Sequence, residues 1–510
     1  MKVHGKIILS GVVFVALCVA AVPLLRFKAR RAVEVYKRQL VERGEKLSME
    51  ELVSASSTNA EARAEEFLQS AQAFSPVDRE WVPSPMRMIS PGRSLVSSRS
   101  DDLYDETAWN LVRTEVETKA TATAALRAML QRGEIVFPLD PAQGFRTPQP
   151  HLGPMRNVIS WLAMATVLEL REGNKPNATE NLKTLLLALE NYKGEPAMMS
   201  QFVRAMCVQI AFGATWEVLQ SPGWSDRDLA EIQKAWSAVR FDSGEEFFAL
   251  ELASGSARFE AARKSAEIAA SFTQRGASVS LLDDLTDFAT EITSNPGVAF
   301  QTLMNRPNQR LWRWVISYEE ELDALKLWFA GLEAERAMER QVSAVPSLKT
   351  LEAQLEAMGS QRGFLLGETG NLVRSTVGRL SSARIAGRLA ITACALHRCK
   401  LQTGRYPDSL KELAPKFLSE IPIDPVDGAP VRYRRNADAS FHLYSVGENG
   451  VDDGGNPEPD PKRPISESSG PGSRRMRWSY LSRGRDWVWP QPATRAEILQ
   501  WRVEEAKKAR

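Results

Sequence analysis

Histidine and cysteine are both scarce in this chain, with four of each among 510 residues. His4, His151, His397 and His442 stand apart from one another, and none forms HExxH or another metal-binding spacing. His397 and His442 fall on a presumed helix and strand, where a packed or surface histidine is the simple reading. Cys18, Cys207, Cys394 and Cys399 are too few and too scattered for a disulfide framework. Cys394 and Cys399 lie in a helical pattern that sets their Cα atoms about 8 Å apart, beyond disulfide reach. They read as small buried hydrophobes. Three further signatures are missing: a GxSxG elbow, a GxxxxGK[ST] loop, and a GxGxxG turn after a strand. Charge of one sign is missing as well, since 65 Lys and Arg balance 63 Asp and Glu for a net +2. No basic run is interleaved with aromatics, so nothing points to a nucleic-acid partner.

Long apolar runs are rare too, and the exception is at the start. Residues 6–25, KIILSGVVFVALCVAAVPLL, carry no acidic side chain and are long enough to span a hydrocarbon core. Continued apolarity past Ala20 favours an uncleaved anchor in the lipid bilayer. A cleaved signal would use the small residues around Cys18–Ala20. Arg26, Lys28, Arg30, Arg31, Lys37 and Arg38 follow the run and outnumber Lys2 and Lys6 before it. The positive-inside rule would then keep the body in the cytoplasm.

Beyond the anchor, residues 28–46 read as a stalk helix and 75–105, rich in Pro, Ser and Gly, as an extended loop. Residues 108–133 read as one helix ending on Gly133. Residues 134–154 hold several prolines and form another break. Helical patterns follow over 157–220, 226–238, 243–274, 309–342 and 346–358. Within the first of these, Ala163, Leu168, Gly173, Ala178 and Leu182 resemble one tetratricopeptide unit. No second copy appears at that period, so packed antiparallel helices are expected rather than a repeat array. The acidic run Glu319-Glu320-Glu321 reads as a solvated helix face. The tryptophans, Trp312 and Trp314 among them, read as core or interface anchors. The pattern changes near 370. One long helix, stopped by Gly404, precedes a short helix over Asp408–Phe417. Strand formers in PVRYRR and SFHLYSV then flank NADA. The expected fold is mainly α, with an N-terminal transmembrane helix, a multi-helix body and a small C-terminal α+β module. The segments are 1–27 anchor, 28–105 stalk and linker, 106–365 helical body, 366–490 α+β module and 491–510 charged tail.

The C-terminal residues carry a resemblance. ALHRCKLQTGRYPDSLKELAP, IPIDPVDGAPVRYRR and FHLYSVGENGVDDGG are similar to the globular domain of type II secretion pseudopilins, which are type IV pilin-like. Tyr406-Pro407, Asp424-Pro425, Gly428, Tyr433, Tyr444-Ser445, Gly447, Gly450 and Gly454-Gly455 stand at matching places. DWVW at 486–489 looks like the closing element of the major pseudopilin after a longer insertion. The N-terminus departs from the family: it has no short leader with a Gly cleavage site, and its apolar run lies far upstream of the pilin-like domain. The resemblance therefore implies a pilin-like fold without the conventional filament role. As a whole, the chain resembles large bacterial membrane-anchored proteins that join a helical region to such a tail.

The loop after the second strand formers, YSVGENGVDDGG, combines four glycines with Asn449, Asp452 and Asp453. Side-chain oxygens on a backbone free to fold back suit either a solvated turn or calcium, which takes six to eight oxygens. The resemblance implies calcium, with Asn449, Asp452, Asp453 and Asp486 as its ligands; Asn449 stands where the family often has Asp. It also implies a single-pass protein of the cell inner membrane with its body in the periplasm, opposite to the basic flank. The function expected is non-catalytic interaction with other envelope proteins. An envelope hydrolase with its site in the helical body, or a cleaved periplasmic binding protein, are the alternatives.

Overall fold

The computed structural model describes residues 23–48, 51–52, 58–74, 83–100, 104–138, 148–241, 243–265, 312–358, 364–459 and 485–508. Residues 1–22, which hold most of the apolar run, lie outside the described residues. The helices are α1 (23–42), α2 (Thr58–Ala71), α3 (Glu106–Thr118), α4 (Ala120–Leu130), α5 (Leu152–Arg171), α6 (Lys175–Asn191) and α7 (Met198–Gln220). They continue with α8 (Asp226–Ala238), α9 (Ser243–Lys264), α10 (Ser317–Glu339), α11 (Val345–Met358), α12 (Phe364–Thr403) and α13 (Arg495–Lys508). The strands are β1 (Arg87–Ser90), β2 (Arg93–Leu95), β3 (Arg432–Arg435), β4 (Phe441–Val446), β5 (Asp486–Val488) and β6 (Gln491–Pro492). The protein is mainly helical, with two small sheets among the described residues. It divides into two compact units: Met1–Ser54 with Phe248–Leu332 and Ser347–Ser375, and Ala55–Phe247 with Glu333–Pro346 and Thr376–Arg510.

In the first unit, α1 buries Ala29, Val33 and Leu40, a stripe at helical spacing. Its Lys37 reaches Glu321 at 2.6 Å, and Glu321 also accepts from Ser256 Oγ at 3.0 Å and pairs with Arg263. Glu320 is buried beside it and accepts from Trp312 Nε1 at 2.9 Å. The solvated face expected for the Glu319–Glu321 run is therefore wrong for two of its three residues. Successive helical residues are about 100° apart, so three in a row cannot share one exposed face. Elsewhere in the unit Gly331 allows close approach, because a Cβ there would meet Phe248 Cε1 at 2.4 Å.

The second unit is built on α5, α6 and α7, whose mutual contacts give a core that includes Trp161, Leu185 and Phe212. Asn174 caps α6 by accepting from Asn177 N, and a Ser225–Asp228 capping box opens α8. The helix expected over 108–133 is broken at Lys119 into α3 and α4. Hydroxyls of Thr114, Thr118 and Thr123 each bond a carbonyl four residues back, which bends a helix. The extended loop expected over 75–105 contains instead the β1–β2 hairpin. Gly92, at φ +69, makes its turn, and β6 adds to β2 in parallel. Glu217 on α7 accepts from Met86 N, Ser97 N and Ser98 Oγ, fastening this segment to the helical core. Among the described residues α7 alone is long and apolar enough to cross a membrane, and it is mostly buried within this unit.

The C-terminal segment also belongs to the second unit. Ile385, Leu389, Ala393 and Leu396 of α12 are buried on one face. The second sheet runs β3–β4–β5, antiparallel throughout. Trp487 and Val488 of β5 line a small cavity with Ile385 and Leu389, which sets the sheet against α12. Trp216 Nε1 donates to Pro490 O at 2.8 Å, and Trp489 packs edge-on against Phe212. Gln233 donates to Phe417 O at 2.7 Å, and Arg398 pairs with Asp226 at 2.9 Å. Helical core and sheet are thus one packed body.

Candidate functional site

The loop between β4 and β5 is where the nominated side chains lie. Tight turns need positive φ at Gly450, Gly454 and Gly455. Gly455 admits no side chain at all, since a Cβ would lie 1.9 Å from His442 Nε2. That imidazole is within 3.1 Å of Gly455 O. Backbone pairing then brings the two ends together, with Asp486 N donating to Asn456 O at 2.9 Å and Val446 opposite Asp486 in the β4–β5 ladder.

All four nominated residues are gathered here, but their oxygens face hydrogen-bond donors. Asp486 is buried, and its carboxylate accepts from the backbone N–H groups of Asp453 (3.3 Å), Gly455 (2.7 Å) and Asn456 (3.1 Å). Asp452 accepts from Gly454 N and Tyr444 Oη, both at 3.0 Å, and its other oxygen is 3.4 Å from Arg432 Nε. Asn449 Oδ1 accepts from Val451 N, while its Nδ2 donates to Asp453, each at 3.0 Å. Flipping that amide would set donor against donor and oxygen against oxygen, so the network fixes its orientation.

Arg432, on β3, brings two further carboxylates into the cluster. Its Nη1 lies 3.0 Å from Asp424 Oδ2 and 3.0 Å from Asp427 Oδ1, and its Nη2 bonds Asp427 Oδ2. Asp424 is fully buried and also accepts from Val426 N at 3.0 Å and Val446 N at 2.9 Å. Burial pushes the Asp424 carboxyl up to about 6 and raises that of Asp486 above its ordinary value. The hydrogen bond to Asp427 raises Arg432 further above its already high value.

A calcium cage needs lone pairs converging on an open centre. Here N–H hydrogens fill the space in front of Asp486, a guanidinium faces Asp452, and an amide donor faces Asp453. These residues do not fit a bound calcium in this arrangement. Among the described residues no group of three or more His, Cys, Asp or Glu is placed to hold a metal ion. Asp424 was legible in the sequence only as part of a Pro-flanked motif. Arg432 gave no signal, because its partners come from two separate loops. Cys207, Cys394 and Cys399 are buried free thiols. No protein-family model, curated protein or solved structure matches the chain.

Proposed function

We propose that the chain is a non-catalytic, membrane-anchored protein of the bacterial cell envelope, whose helical body and pseudopilin-like module interact with other envelope proteins. The observation that carries the anchor is the start of α1. Leu24, Leu25 and Phe27 are exposed there, at 69%, 51% and 62%. Three large apolar side chains open to water in succession are costly for a soluble helix. Leu24 and Leu25 end the apolar run 6–25, Phe27 extends it past Arg26, and exposed Lys28, Arg30 and Arg31 follow within about one turn. Apolar residues giving way to basic ones is the composition of a helix leaving a bilayer. The order of long helix, turn at Asp424, hairpin, acidic loop and closing strand at Asp486 supports the pseudopilin-like reading.

Membranes washed with alkaline carbonate should retain the intact chain. Arginine at Phe14 and Ala16 together should release it, each costing about 2.5–3.5 kcal/mol of insertion. A mature protein whose mass begins after Ala20 would instead mark the run as a cleaved signal and overturn the anchor.

A further inference from the structure

We propose that Arg432 is the resident cation of the acidic loop and does the cross-linking that a bound metal would otherwise do. The guanidinium joins two segments that are separate in the chain. Asp424 and Asp427 belong to the turn before β3, and Asp452 belongs to the loop after β4. Every guanidinium nitrogen is committed to them: Nε toward Asp452, Nη1 toward Asp424 and Asp427, and Nη2 toward Asp427. A planar fork with five N–H donors can serve three carboxylates at once, whereas a lysine ammonium is a single point charge.

The strand register aims the fork. Arg432 sits opposite Tyr444 in the β3–β4 ladder, and the Tyr444 hydroxyl holds the same Asp452 carboxylate. One positive charge does not balance three negative ones, and backbone donors relieve the remainder. Val426 N and Val446 N serve Asp424, Ala429 N serves Asp427 at 3.1 Å, and Gly454 N serves Asp452. The loop thus closes with donors that the chain itself supplies. This inference stands on the loop geometry and is independent of the membrane reading.

Hydrogen exchange of the full-length chain in detergent, read by mass spectrometry on peptides covering 444–459, tests it. In the wild-type protein, millimolar calcium and a chelator should give the same loop exchange to within about twofold. Arg432→Met should speed exchange about tenfold or more, because three carboxylates lose their shared cation, and Arg432→Lys should speed it less. Should Arg432→Met fail to fold, Asp427→Asn at the edge of the cluster replaces it, with an expected rise of about threefold. Calcium slowing wild-type exchange about tenfold would overturn the proposal. So would unchanged exchange in Arg432→Met or, where that variant does not fold, in Asp427→Asn.

Discussion

Glu320 is a buried carboxyl with no countercharge among the groups that shift it. Burial pushes its carboxyl up to about 7, with Asp323 and Glu319 adding like-charge repulsion and Trp312 Nε1 opposing them. Neighbouring Glu321 differs, because Lys37 and Arg263 both reach it. A carboxyl whose folded value lies above its ordinary 4.5 binds more protons folded than unfolded. Its contribution is therefore complete below about pH 4.5 and lost as pH rises through about 7, a swing of about 3 kcal/mol. Unfolding free energy of the first unit should fall across that window in the wild-type protein. In Glu320→Gln, which keeps an acceptor for Trp312 and has no charge to bury, it should be flat there. An equal slope in both proteins would assign the pH dependence to other groups. Helical geometry keeps the three glutamates at 319–321 from sharing one exposed face, and two of them turn inward, but nothing in the sequence said which partners waited. Lys37 lies far upstream on α1, and Arg263 lies on a different helix. Arg432 was hidden for the same reason: strand alternation gives its face, while only the folded loops bring three aspartates to it.

At the scale of elements, α12 was the most legible. Its apolar positions recur at helical spacing, and Ile385, Leu389, Ala393 and Leu396 are all buried. The strand formers on either side of NADA form β3 and β4. The β1–β2 hairpin was not legible, because each strand is too short to show alternation. Its outer partner is Gln491–Pro492, hundreds of residues away, and its anchor is one carboxylate on α7. Long periodic segments announce themselves, while short strands depend on partners that the fold alone supplies. Leu389 tests the packing that α12 implies. Leu389→Ala removes a side chain that is 2% exposed and leaves a void beside Trp487, so it should cost about 2–5 kcal/mol. Leu389→Met, close in volume, should cost less than about 1.5 kcal/mol. Pulse proteolysis in urea, scored on the second unit, separates these outcomes. Equal resistance of all three proteins would mean that the sheet does not rest on this face.

For the whole molecule the open question is which side of the membrane it occupies. The basic residues after Leu25 outnumber those before the apolar run, and Lys28, Arg30 and Arg31 are exposed on α1. Taken alone, that asymmetry holds the body in the cytoplasm. Pairing weakens it only slightly: Arg30 is bonded to exposed Glu34, and acidic residues count for little in orientation. The pseudopilin-like reading of the C-terminal segment points the other way, and the function proposed above follows it. Because that segment is packed into the helical core of the second unit, the two must share one compartment. A reporter at the C-terminus therefore reports for the whole second unit. Alkaline phosphatase fused after Arg510 should be active in cells, since the enzyme matures only in the oxidising periplasm. A fluorescent cytoplasmic reporter at the same point should stay dark. An inactive phosphatase with a bright cytoplasmic reporter would place the body inside, leave the basic flank as the dominant signal, and remove the periplasmic assignment.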